Sequence, residues 1–226
     1  MRLNFLLVIV ILISSLTVAH ANDAATPKDI EKADDAQTIF NGIKTRYATI
    51  GFSARFHQFS TFKAMDIVDT ASGSIIVKRP GKMRWAYEAP ESQMIVSDGQ
   101  FLWVYRPQDN QVMVGKAPTF FGNGKGAGFL SDLSSLQKHF EISREADTPA
   151  GDYRLNLKPM EKNQEIAGIH LIITKETFDI IEIITVNIYE DETRITLSDT
   201  QFQDEIDDTI FSFKIPDGVD VIELDQ

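Results

Sequence analysis

Apolar and polar positions follow two rhythms along this chain, and the switch between them divides it. Ile30, Ala33, Ala36, Phe40, Ile43 and Tyr47 recur at steps of three and four, so they share one face of an amphipathic helix. Thr26 with Asp29 resembles a capping box, and Pro27 suits the first helical position. Gly51 is expected to stop the helix. Beyond it the period falls to two. Phe52, Ala54, Phe56 and Gln58 alternate with Ser53, Arg55 and His57, as in a half-buried strand. A less regular strand should follow up to Val68, with residues 69–73 as its turn, and then a run from Gly73 to Lys78 broken by Arg79-Pro80-Gly81.

The next strand places Met83, Trp85 and Tyr87 on one face and Lys82, Arg84 and Ala86 on the other. Asp98-Gly99 is a hairpin signal joining strands near 93–97 and 101–105. Phe101, Trp103 and Tyr105 oppose Leu102 and Val104, so both sides of that strand should be covered. A strand at 111–116 precedes a glycine-rich loop, residues 117–128, that holds Phe120 and Phe121. Phe129, Leu133, Leu136 and Phe140, spaced 4, 3 and 4, predict a second amphipathic helix, although Phe140 also suits the start of a strand. Strands are expected near 142–144, 153–157, 168–174, 180–189 and 193–202, then an apolar closing segment at 211–215. The pattern is mainly β: one meandering antiparallel sheet that must curl to bury its inner face, with two helices to plug what it leaves open.

Composition adds a compartment. Arg2, an apolar run from Phe5 to Leu16 and Ala19-His20-Ala21 read as a signal peptide, residues 1–21, cut before Asn22. The run is short for a bilayer span, which needs about 20 residues. Residues 22–226 then form a single domain. The chain has no cysteine, so an exported fold cannot rely on disulfides, and thiol chemistry and lipid attachment through cysteine are excluded. Its formal charge of −11 disfavours nucleic acid and anionic lipid.

Catalytic signals are weak. His57, His139 and His170 show no metal-ligand spacing, and neither H-E-x-x-H nor G-x-S-x-G occurs. No catalytic residue, metal or cofactor is expected. The pairs Asp34-Asp35 and Asp207-Asp208, and the run Glu190-Asp191-Glu192, read as solvated charge. Gly122-Asn-Gly-Lys-Gly-Ala-Gly128 lacks the Ser or Thr that a phosphate loop places after its lysine, so it reads as a flexible loop. The aromatic face of residues 73–105 suits either a packed core or a ligand cavity, with core the plainer use.

At this point specific blocks match a known family. Phe52-x-x-x-Phe56-x-Gln58, Gly73-Ser-x-x-x-Lys78-Arg79-Pro80-Gly81-Lys82-x-Arg84-Trp85-x-Tyr87-x-x-Pro90, and Ser97-Asp98-Gly99-x-x-Leu102-Trp103-x-Tyr105-x-Pro107 resemble the LolA-type outer-membrane lipoprotein carriers, as do Phe211-x-Phe213 and Pro216-x-Gly218-Val219. The resemblance implies an unclosed β-barrel with helices as a lid over an apolar cavity, lined by Phe52, Phe56, Met83, Trp85, Trp103 and Tyr105. It implies Arg79 as the lid latch. It also implies a monomeric periplasmic chaperone that takes acylated lipoproteins from an inner-membrane ATP-binding-cassette complex to an outer-membrane receptor. The alternative on the same half-barrel is a sensing module that binds an envelope lipid and signals to a membrane partner.

Overall fold

The computed structural model describes residues 27–48, 51–117, 128–161 and 166–224, and in the first helix side chains from Asp35 onward. The leader and its cut, Thr26 and most of the glycine-rich loop lie outside these residues. Helix α1 (Pro27–Arg46) starts on the proline, whose missing N–H is no loss at a first helical position. It ends well before Gly51, its last turn closed by Tyr47 N–H donating to the Ile43 carbonyl at 2.9 Å. Gly51 instead opens strand β1 (Gly51–Phe62), where a Cβ would lie 2.1 Å from the Val77 carbonyl oxygen. The glycine serves close strand packing, not helix termination.

Eleven further strands follow: β2 (Ile67–Lys78), β3 (Lys82–Ala89), β4 (Gln93–Asp98), β5 (Phe101–Arg106), β6 (Gln111–Lys116), β7 (Phe140–Arg144), β8 (Tyr153–Pro159), β9 (Gly168–Ile173), β10 (Ile180–Val186), β11 (Glu192–Gln203) and β12 (Asp220–Glu223). They form one unclosed sheet in the order β12-β6-β5-β4-β3-β2-β1-β11-β10-β9-β8-β7. Two antiparallel meanders, β1–β6 and β7–β11, meet along the β1–β11 pair. The last strand departs from the meander and lies parallel to β6.

Two further expectations change. The turn read at 69–73 lies inside β2, and the chain reverses near Asp66, which takes φ 52°. Gly73 is a packing glycine, because a Cβ there would sit 1.9 Å from the Ala86 carbonyl oxygen at a bulge facing β3. The second helix is not continuous. Its four apolar residues are all buried, but on 3-10 turns at Gly128–Ser131 and Leu133–Ser135, one helical turn α2 (Leu136–His139), and the first residue of β7. The Ser131 and Ser135 hydroxyls donate to the Gly128 and Asp132 carbonyls, local bonds that compete with a regular helix.

Strand register sorts the side chains by face. Across β1–β4 the pairs Phe52/Val77/Met83/Ser97 and Ala54/Ile75/Trp85/Ile95 form two rows on the concave side. Those rows continue through Leu102 and Val104 on β5. On the other side of β1, Leu197, Ile195, Ile183 and Leu171 extend the apolar surface toward β8. The β1–β3 and β8–β11 parts of this face and the helices over them make one buried cluster, while Leu102 and Val104 pack with Ala117 in a second.

Candidate functional site

The concave face is a floor with a roof. Floor side chains come from alternate residues of β1–β3, because a pleated strand sends every second side chain the same way. The roof is the apolar stripe of α1, where Ala36, Ile39, Phe40, Ile43 and Tyr47 are each at most 1% exposed. Phe129, Leu130, Leu133 and Leu136 cover the adjoining part of the same cluster. Of the expected lining residues, Phe52, Phe56, Met83 and Trp85 come together here. Phe56 lies 4.8 Å from Trp85 and 4.9 Å from Tyr87, centroid to centroid. The two rings flank Gly73, which pairs with Phe56 on one side and Tyr87 on the other and leaves them room.

Trp103 and Tyr105 are not part of this group, and their place as cavity lining is corrected. Trp103 pairs with Val96, which pairs with Arg84, so it faces away from Trp85. Both rings pack on Phe213, at 6.1 and 5.8 Å, beneath the closing segment that crosses the convex side. Leu102 and Val104 take the concave positions. The strand is covered on both sides as its alternation implied, with the faces exchanged. The β3–β4 connection sets that parity, and its register is not written in the sequence.

The roof is fastened at its ends by polar contacts. The Ile180 N–H donates to the Tyr47 hydroxyl at 3.0 Å, and Arg46 pairs with Asp179 at 2.6 Å beside it. Arg46 also lies 4.0 Å from the Phe202 ring centroid. Burial pushes the Tyr47 phenol up to about 12. Farther along α1, Asp35 pairs with Arg144 on β7, and Gln37 accepts from Gln137 on α2 at 3.1 Å. Sequence reasoning placed Tyr47 in the apolar stripe but missed its hydroxyl as an anchor; a tyrosine, the one member with a polar atom, ending the stripe was the available signal.

Arg79 occupies the β2–β3 turn, where the two roof pieces meet. Its peptide to Pro80 is cis, and its guanidinium carbon lies 5.5 Å from the Tyr47 ring centroid. In the same turn the Gly81 N–H donates to the Ser131 carbonyl at 3.4 Å. Desolvation by burial lowers the Arg79 pKa, while the Asp132 carboxylate acts in the opposite direction. Buried Ser97 fixes the turn from below, donating to the Gly81 carbonyl at 3.0 Å and accepting from Gly99 N–H at 3.1 Å.

The histidines do not converge. His57 is exposed on the convex face against Phe59, His139 is exposed at the end of α2, and His170 Nδ1 lies 3.1 Å from Glu145 Oε2. Several acidic residues read as solvated are partly engaged: Asp208 pairs with Lys78 and Lys82, and Asp207 caps the turn Asp208–Phe211. Among the described residues no helix is long and apolar enough to cross a membrane.

Comparison with known proteins agrees with this geometry. An outer-membrane lipoprotein carrier protein from Azotobacter vinelandii is 27% identical over 99% of this chain and 100% of its own length. One from Nitrosomonas europaea is 29% identical over 76% of this chain and 82% of its own. Among solved structures, an uncharacterized conserved protein from Thermus thermophilus shares the fold with a TM-score of 0.55 at 12% identity, over 84% of this chain and 99% of that one. The family model described as outer membrane lipoprotein carrier protein LolA matches residues 48–214, well over half of the sequence, and the chain belongs to that family.

Proposed function

We propose that the protein is a non-enzymatic periplasmic carrier of acylated lipoproteins. It takes them from an inner-membrane ATP-binding-cassette complex and delivers them to an outer-membrane receptor. It would act as a single domain after loss of its leader, with Phe52, Phe56, Met83 and Trp85 lining the acyl site and Arg79 latching the roof. The observation that carries this is the roofed apolar floor, in which the stripe of α1 and the aromatic rows of β1–β3 bury one another.

Energetics favour exchange over storage. A buried methylene is worth about 0.8 kcal/mol, so baring one ~14-methylene chain to water costs on the order of 11 kcal/mol. Unaided crossing of an aqueous compartment is therefore excluded. Cargo and roof compete for the same floor, so net affinity is the difference between two large burial terms. A carrier without a nucleotide site needs this property, because it must let go as well as hold. With the roof down and no cargo, the apolar floor is kept from aggregating.

The test uses the leaderless protein with energised inner-membrane vesicles that retain lipoprotein. Soluble one-to-one complexes of carrier and lipoprotein are expected. Folded protein that leaves all lipoprotein in the vesicles would overturn the proposal.

A further inference from the structure

Along β1 the concave face changes character within two residues. Phe52, Ala54 and Phe56 are followed, on the same side, by Gln58 and Ser60. The neighbours change one step later: Phe56 pairs with Leu197 and Gln58 with Ile195 and Ala71, but Ser60 pairs with Thr193 on β11 and Asp69 on β2. These polar side chains form one hydrogen-bonded row. The Tyr87 hydroxyl donates to Gln58 Oε1 at 3.2 Å, Gln58 Nε2 donates to Ser60 Oγ at 3.1 Å, and Ser60 and Thr193 share a bond at 3.4 Å.

Beside this row lies a groove of about 470 Å³ whose lining includes Gln58, Tyr87, Val68, Ala71, Pro90 and Glu91. Tyr87 belongs to both places: its ring packs on the buried cluster and its hydroxyl reaches the groove. The aromatic sequence Trp85, Phe56, Tyr87 thus runs unbroken from the buried floor to an opening.

Resting on the carrier function above, we propose that this groove is the mouth of the acyl site, and that Tyr87 and Gln58 seat the ester and amide carbonyls where acyl chains join the lipoprotein. Phe52 and Gln58 are six residues apart on an extended strand, about 20 Å. That is the length scale of one extended acyl chain, so chains lying over the apolar rows bring their linkages level with the polar row. Carbonyl oxygens only accept hydrogen bonds, and the row supplies the matching donors, the Tyr87 hydroxyl and the Gln58 amide. Their present bonds, at 3.2 and 3.1 Å, are longer than the usual optimum, especially for a hydroxyl donor. Re-aiming them toward a ligand therefore gives up little. A tyrosine hydroxyl is a donor throughout the physiological range, and burial, which pushes the Tyr87 phenol up to about 12, only widens that margin.

The test compares two synthetic lipopeptides with the same chains, one ester-linked and one with ether linkages at the glyceryl carbons, alongside a fluorescent hydrocarbon-tailed probe. Native protein should favour the ester form about fivefold, the worth of one modest hydrogen bond. Tyr87→Phe and Gln58→Leu should each shrink that preference toward unity while binding the hydrocarbon probe as before. Equal affinity of the native protein for ester and ether forms would remove the seat and leave the carrier function standing. So would variants that keep the preference, or lose the hydrocarbon probe as fully as the ester. Native protein that binds neither lipopeptide nor probe would end both proposals.

Discussion

Arg79 carries its charge in a partly desolvated place where the two roof pieces meet. On the proposed reading its planar fork of donors holds those pieces together. Arg79→Leu keeps the stem and removes the fork, so the roof should open more easily. Cargo is then expected to load while onward transfer to receptor-bearing membranes falls at least tenfold, scored by pull-down at each step. Normal transfer by the variant would release Arg79 from the mechanism. The two tryptophans give a sharper optical test, since they lie on opposite faces. Trp103→Phe should preserve a cargo-induced change in emission, whereas Trp85→Phe should abolish it. The tyrosines add a pH dependence. Tyr47 and Tyr87 titrate near 12 when folded against about 10 when unfolded, so between those values the unfolded chain holds fewer protons. Their contribution is complete below pH 10 and is lost as pH rises toward 12. The urea midpoint should fall across that window, and less steeply in Tyr87→Phe.

Among the elements, α1 is anchored firmly at one end and more lightly along its length. The Tyr47 and Arg46 contacts hold its C-terminal end on the β9–β10 connection, while the Asp35–Arg144 pair ties it to edge strand β7. Partly exposed ion pairs are typically worth about 0.2–1 kcal/mol. Asp35→Asn should accordingly raise amide exchange in α1 by up to about fivefold and leave β1–β3 unchanged, as read by mass spectrometry. The elements also show what a sequence can reveal. Ala36, Phe40, Ile43 and Tyr47 were legible as one buried stripe, since helical spacing alone determines which residues share a face. Met83, Trp85 and Tyr87 were legible for the same reason on a strand. Trp103 was misplaced because parity between two strands depends on the geometry of the connection before it. Gly51 and Gly73 look like punctuation in one dimension. In three they are the points where two backbones come too close for any side chain.

At the scale of the whole molecule, an acidic charge goes with a covered apolar floor, although Phe59, Met65, Ile67 and Val68 stay exposed at one end of β1 and β2. The formal charge is −11, and the largest apolar surface is roofed. Folded protein should thus remain in the supernatant when mixed with anionic phospholipid vesicles, at low and at high salt. Co-sedimentation at low salt would show that the roof or the surface charge fails to protect it.

The order of strands in the sheet bears on how such a molecule is made. The β1–β11 pair joins the first strand to one encoded some 140 residues later, measured from Gly51 to Glu192. During synthesis from the N-terminus, the first meander can assemble while one flank of β1 still lacks its partner. Loop closure over that span is costly, and long-range pairing is slow and exposed to misassociation. The centre of the finished sheet thus stays an open edge until β11 is made, so a nascent or truncated chain ending before β11 should aggregate while the full chain folds.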